Sequence, residues 1–417
     1  MADKPRRVLI LVENLPSPFD RRVWQEATTL RSNGYAVSII CPTGKGCEAH
    51  YEVIDDIHIY RYDLPTEAAG AKSYFVEYSS ALWHTFRLAW KVRRRHGFDV
   101  VHACNPPDLL FLIGGFFKLL FGTKFLFDHH DINPELYEAK FGRRDFWWKV
   151  MVWLERMTFR TADISIATNE SYRRIAIERG RMPPERVFLV RSGPKLDRLR
   201  ILPPVPELKQ GREFLVGYVG VMGKQEGIDY LIKAVRHIVY GMGRTDIHFM
   251  LGGSGTSLDE MKQMAVDLGV ADYVTFTGRV PDQEILEILN TADVCVNPDV
   301  ANEMNDKSTM NKIMEYMALG KPIVQFDLTE GRFSAQEASL YARKNDEVDF
   351  AEKILELLAD PDARARMGRY GRKRVEKELA WEYEAPKLLA AYEAVFDQSP
   401  GSRLQQKLSV GHHKDLD

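Results

Sequence analysis

The segment Asn305–Phe326, NDKSTMNKIMEYMALGKPIVQF, collects the residue types best suited to hold an anionic ligand. It reads as a polar loop, a helix from Thr309 to Leu319, a Gly-Lys-Pro turn and a buried strand. The loop and the first helical turn, with Thr309, Met310 and Asn311, set backbone N–H groups around the same point as Lys307 and Lys312. Glu315 lies one turn deeper. A helix N-terminus with adjacent ammonium groups suits a diphosphate, and a carboxylate one turn in can accept both hydroxyls of a ribose. A nucleoside diphosphate meets both demands. An amphipathic helix with a solvated charged face explains the same pattern.

Two glycine-rich turns precede this segment. GYVGVMGKQEGID, Gly217–Asp229, turns from strand to helix and carries Gly223 and Lys224. A cation there neutralises a phosphate or is a solvated loop lysine. Gly253, Ser254 and Gly255 follow the apolar strand HFML. They let a ligand approach the backbone closely, or they form an ordinary tight turn. Neither turn is a GxGxxG fingerprint, and ENLPSPFDRR stands after the first strand, which disfavours a dehydrogenase. A GxxxxGK[ST] motif is also missing from the sequence, which disfavours a P-loop NTPase.

In the first half, FLFDHHDINPELY places Asp128, His129, His130 and Asp131 just past the end of a buried strand. Strand alternation turns neighbouring side chains opposite ways, so one of the two histidines faces the ligand side. Adjacent residues rarely ligate one ion and no second ligand pair has suitable spacing, so a metal is not expected. In PFDRR, Asp20 fits as an N-cap, and one of Arg21 and Arg22 points along the loop toward the ligand side.

Strands must position these groups. Short β-like runs alternate with helical patterns on both sides of a Pro-rich stretch, Leu202–Arg212, which reads as a linker. Residues 1–203 form a first Rossmann-like domain and residues 213–380 a second. A helix over 381–397 follows, and 398–417 reads as a disordered tail. The expected fold is α/β: two doubly wound sheets facing each other across a cleft lined by the strands' carboxyl ends.

Bulk properties narrow the field. The 417 residues are 45% hydrophobic and 28% charged, with a net charge of −2, which gives no reason to expect a nucleic-acid partner. Four cysteines without metal or redox spacing read as cytosolic thiols. Helices over 73–95 and 141–160 interleave aromatic and basic residues, a pattern suited to peripheral contact with the anionic inner face of a plasma membrane. In the second, Trp147, Val150, Met151, Leu154 and Met157 form a stripe suited to packing, leaving Trp148 and Trp153 as the exposed pair.

The chain resembles the family 4 retaining glycosyltransferases of the GT-B fold, most closely the subgroup that builds bacterial surface polysaccharides. The resemblance rests on VGYVGVMGKQEGIDYLIKAV, the GGSG loop, VTFTGRVPDQEILEILNTADVCVNP and KIMEYMALGKPIV. In the first half it rests on PFDRRVWQEATTLRSNGYAVSIICP, FDHHD and VFLVRSGP. The closing WEYEAPKLLAAYEAVF looks like the family's C-terminal helix, which returns to the first domain. By resemblance, Glu315 matches the second glutamate of a paired motif and holds the donor's ribose. Lys307 stands where the first glutamate belongs, and Val221 and Glu226 replace the family's arginine and lysine. Lys224 and Lys312 would then supply the positive charge, and His130 matches the family's catalytic histidine, with His129 as a one-residue alternative. Arg279 joins the donor-binding set, and Arg22, His129 and Asp131 fall on the acceptor side.

The resemblance implies transfer of a hexose from a UDP- or GDP-sugar to a glycan or lipid-linked acceptor, without metal or other cofactor and with anomeric retention. The leaving phosphate takes the acceptor's proton, so a dedicated protein base is not expected. Two competing readings remain: a GT-B sugar-nucleotide epimerase, and a non-catalytic nucleotide-binding or scaffold protein.

Overall fold

The computed structural model describes residues 4–44, 46–64 and 71–397, with backbone alone over 71–77. The predicted tail at 398–417 and the aromatic residues Tyr74 and Phe75 lie outside the described residues and side chains. The chain divides into two compact units. The first runs through Arg191 and resumes at Glu384; the second spans Ser192–Tyr383.

The first unit is an eight-stranded sheet. Its strands are β1 (Arg7–Leu11), β2 (Ala36–Pro42), β3 (Tyr51–Ile54), β4 (Ile57–Tyr62), β5 (Val100–Cys104), β6 (Lys124–His129), β7 (Ile164–Ala167) and β8 (Val187–Leu189). Their order is β3-β4-β2-β1-β5-β6-β7-β8, parallel except for β3. The sequence reading missed β3. Its hairpin turn, Asp55-Asp56, holds both residues at positive φ (50° and 60°), the geometry of a twist-matched two-residue turn usually signalled by glycine or asparagine. Order reverses beside β1, which pairs with both β2 and β5.

The second unit is a six-stranded parallel sheet of β9 (Phe214–Val219), β10 (Ile247–Gly252), β11 (Val274–Gly278), β12 (Val294–Asn297), β13 (Ile323–Phe326) and β14 (Ser339–Ala342). The order is β11-β10-β9-β12-β13-β14, so the switch point lies between β9 and β12. Both faces are covered, as a parallel sheet requires. Val216, Tyr218 and Phe249 pack on one side with Ile232 and Ile354. Leu215, Met250 and Cys295 pack on the other with Ile313, Met314 and Met317. The supposed linker is pinned to this unit: the N–H of Leu202 donates to Asn290 Oδ1 (3.0 Å) and that of Val205 to Thr291 Oγ1 (2.8 Å). Among the described residues, no helix is long and apolar enough to cross a membrane.

The aromatic helix corrects one expectation. Phe146–Thr161 buries Val152, Glu155, Thr158 and Phe159, while Trp147 is 59% exposed and Trp153 55%. Trp148 is half-buried, with the Arg144 guanidinium 5.2 Å from its ring centre. The helix turns this way because Glu155 is inside: Arg179 donates to both its oxygens (2.7 and 2.6 Å) and reaches Glu135 as well. Apolar periodicity does not register a carboxylate that an arginine draws inward.

Candidate functional site

In the second unit, the loops after β9, β10 and β12 converge at the switch point, where open α/β sheets bind ligands. Their glycines serve contact between the loops themselves. A Cβ on Gly253 (φ +138°) would sit 1.8 Å from Gly220 O, and one on Gly255 would sit 2.5 Å from Met222 O. Gly227 (φ +64°) is pressed against Pro298 O in the same way. The Met222 N–H donates to Ser254 O (3.1 Å), tying the two glycine-rich turns together. Gly223 is buried at the start of a 3-10 turn, Lys224–Glu226, and Lys224 is exposed at its tip.

The predicted helix resolves into two. Glu303–Lys307 is capped by Asn302, and after a break Asn311–Ala318 begins with Met310 in extended conformation. Ser308, Thr309 and Met310 form the half-buried link between them, and Asn311 is exposed. Lys307 closes the first helix and pairs with Glu303 at 2.6 Å. The second helix is fixed to β9, where the Val219 N–H donates to the Tyr316 hydroxyl (2.9 Å).

Lys312 is the main correction to the sequence reading. Its Nζ lies 2.7 Å from Glu226 Oε2 and 2.8 Å from Asp299 Oδ1, so two carboxyl groups already share its charge. Its side chain is only 11% exposed and rests over the Tyr218 ring. Burial opposes the ammonium, but Asp299 and Glu226 outweigh burial and hold Lys312 firmly protonated. Burial pushes Asp299 up to about 7; Lys312 tempers the shift and the neighbouring Glu226 adds to it.

Glu315 is half-buried one turn into the second helix, and Arg198 occupies it. Arg198 also reaches Asp282 Oδ2 at 3.3 Å, linking the turn after β11 to the helix that carries Glu315. Arg279 is exposed in that turn. Sequence reasoning did not single out Arg198. It stands in a stretch read as the end of the other domain, so no local pattern connected it to Glu315.

The first unit builds its own polar cluster at the end of β6. Arg22 donates to Asp128 Oδ1 and Oδ2 (2.9 and 3.2 Å) and to Val190 O (3.0 Å), and lies 3.1 Å from Glu26. It is therefore a buried brace for Asp128; the predicted open, acceptor-side cation is not what the fold makes of it. Burial opposes the Asp128 charge, but Arg22 and His130 outweigh it and hold the carboxyl well below its usual range. Burial together with Asp128 drives Glu26 well above its own. His130 Nε2 lies 2.5 Å from Asp128 Oδ2 and 3.0 Å from Arg22 Nε, so the same ring nitrogen meets both members of the brace. Its backbone N–H and that of Asp131 both donate to Asn105 Oδ1 (2.7 and 3.1 Å), so Asn105 shapes the turn. Asp131 is half-buried, and burial raises it above the ordinary carboxyl value.

His129 leaves the candidate set. Strand alternation sends it inward, where it is fully buried beside Phe127, Phe159 and Tyr172. Burial lowers it to about 3, so the ring stays neutral. Four ligand-type side chains, Glu26, His102, Cys104 and Asp128, bring donor atoms within 4.8 Å of one another. Arg22 supplies the positive charge among them, and burial holds the Cys104 thiol well above its ordinary value. That chemistry is an internal ion-pair network and suits a metal ion poorly.

The chain matches the glycosyl transferase 4-like domain over residues 20–193 and the group 1 glycosyl transferases over residues 213–360. A GDP-mannose-dependent monoacylated alpha-(1-6)-phosphatidylinositol monomannoside mannosyltransferase of Corynebacterium glutamicum is 27% identical over 205 residues, 46% of this chain and 53% of that one. The chain thus spans about half that relative's length. An alpha-maltose-1-phosphate synthase of Mycolicibacterium smegmatis is 26% identical over 68% of this chain and 76% of its own. Among solved structures, a sucrose-phosphate synthase from Thermosynechococcus elongatus superposes with TM-score 0.78 at 19% identity, covering 94% of this chain and all of that one. Anabaena HepE in complex with UDP and glucose gives TM-score 0.71 at 14% identity, covering 93% and 99%. These likenesses establish a GT-B fold of two Rossmann-like domains.

Proposed function

We propose that this chain, which belongs with the GT-B glycosyltransferases of the group 1 and 4-like domains, moves a hexose from a nucleoside diphosphate sugar to a hydroxyl acceptor with retention of anomeric configuration. The observation that carries the reading is the second unit's switch point, where Lys224 stands on a loop and Lys312 and Glu315 on a helix pinned to β9. Glu315 would accept the ribose hydroxyls as Arg198 gives up its hold. The diphosphate would lie at the start of the helix Asn311–Ala318, with Lys224 and Lys312 stabilising the charge that develops as the sugar departs. Thr309, Met310, Asn311 and the Gly253–Gly255 turn would line that approach, with Arg279 at the turn after β11.

In the first unit, the Asp128–Arg22 brace holds the His130 ring, which would orient the sugar. The departing phosphate would take the acceptor's proton, so no step needs a protein base or a metal. A glycan or lipid-linked acceptor in surface-polysaccharide synthesis fits the first unit's exterior. Trp83, Leu119, Leu120, Phe146, Trp147 and Trp153 are exposed there, and Arg87, Lys91, Arg94, Lys149, Arg156 and Arg160 are exposed on two of the same three helices. Such a surface suits the interface of an anionic membrane.

A non-catalytic nucleotide-binding protein is the second reading, favoured by the two carboxyl groups on Lys312. Calorimetric titration with UDP- and GDP-sugars, followed by turnover assays with lipid-linked and free glycan acceptors, separates the two. The main reading expects binding and transfer, and binding without transfer to any acceptor favours the second. Full donor affinity in Glu315→Ala would refute the ribose assignment.

A further inference from the structure

Charge at the second unit's switch point is wrong for an anion. Lys312 contributes one positive charge, and Glu226 and Asp299, at 2.7 and 2.8 Å, contribute two negative ones when ionised. The groups facing this triad are few. The turn Lys224–Glu226 brings Glu226, β9 brings the Tyr218 hydroxyl (3.4 Å from Glu226 and 3.5 Å from Lys312), and the end of β12 brings Asp299. The helix Asn311–Ala318 brings Lys312 and Tyr316, and burial keeps the Tyr218 and Tyr316 phenols protonated. Asp299 is 1% exposed, and its Oδ2 is buried without a hydrogen-bond partner. Two carboxylates and an unpartnered buried oxygen around one ammonium leave it no surplus charge for a diphosphate.

We propose that the Asp299–Glu226 pair takes up one proton from solvent as the donor binds, converting Lys312 from a neutralised brace into a cation available to the diphosphate. The step is protonation alone: one solvent proton adds to one carboxylate, and no bond to the ligand forms. Asp299 is thereby a positioning residue, acting on the donor through Lys312. Its burial places this titration near neutrality, where a small local change decides whether the proton is held. Lys312 keeps its charge throughout this range, so the site's net charge follows the protonation of its two carboxyl groups.

The inference rests on the donor reading of this site. It is tested with UDP-glucose and GDP-mannose, whose diphosphates carry no ionisable proton near neutrality. Donor affinity is measured by calorimetry from about pH 6 to 8.5, in buffers of differing ionisation enthalpy. The wild-type chain is expected to take up little proton near pH 6 and close to one per donor bound well above about 7, with affinity falling up to about tenfold per pH unit above about 7. Asp299→Asn keeps an acceptor for Lys312 without the charge, so its affinity should stay flat across the range and exceed the wild type at the alkaline end. Glu226→Gln should flatten the profile in the same direction, which covers failure of the first variant to fold. If Lys312→Met weakens donor binding while the wild type shows no proton uptake and a flat profile, the inference falls and the donor site stands. If Lys312→Met binds donor as tightly as the wild type, the donor reading itself falls.

Discussion

Each unit sets one cation between two carboxyl groups beside its sheet's switch point, and the two arrangements do opposite work. In the first, Arg22 grips Asp128 with a guanidinium fork, and complete burial drives Glu26 well above the usual carboxyl range. The charges balance and the site is set. In the second, Lys312 is a point charge on the first turn of a helix, partly open to solvent, with an aspartate poised near neutrality. A forked cation that is fully satisfied braces a strand end, whereas a point charge between mismatched carboxylates keeps a state in reserve. The aspartates are equally buried; what differs is the shape of the cation and the glutamate, sealed in at Glu26 and partly open at Glu226.

Breaking the first brace should cost most. Arg22→Met leaves the ionised Asp128 buried without its cation, so unfolding should become easier by about 3–5 kcal/mol, read by denaturant titration. If stability holds, the brace does not carry the strand end. Lys312→Met should separate stability from function. Asp299 can take up a proton when the ammonium is removed, so the fold should lose only about 1–2 kcal/mol, while turnover drops on the order of 10²-fold. Steady-state kinetics beside a melting curve checks this, and equal losses in both would erase the distinction between the two sites.

His129 offers a cleaner test of burial. Its folded value, about 3, lies below an unfolded value of about 6.5. The stabilisation from the neutral ring is therefore complete above about 6.5 and is lost as pH falls from there toward 3. At pH 5 this amounts to about 2 kcal/mol, and His129→Phe should lose stability less steeply between pH 7 and 5. An unchanged slope would mean that the ring is not held neutral. The smallest effect belongs to the surface: Trp153→Ser should weaken co-sedimentation with anionic vesicles by about 1 kcal/mol or less, with salt weakening it further. No binding at low salt would count against membrane contact.

Much of this was legible in the sequence, for definite reasons. The parallel strands announced themselves as short apolar runs closed by turns, and HFML, IVQF and VLIL all fall in buried strands. Alternation along β6 already separated His129 from His130. Buried charge was not legible. Glu155 inside a helix face, Arg22 as a brace and Glu226 beside Lys312 each depend on a partner 24 to 106 residues away in sequence. Period and composition report which residues prefer water and say nothing about which charges will meet. Arg198 stayed hidden for the same reason, 117 residues from Glu315.

A crystal of the chain soaked with UDP or GDP tests the central assignment most directly. The account predicts the ribose hydroxyls on the Glu315 carboxylate, the diphosphate at the start of the helix Asn311–Ala318, and Arg198 drawn off Glu315. A nucleotide lodged elsewhere, with the Arg198–Glu315 pair intact, would contradict it.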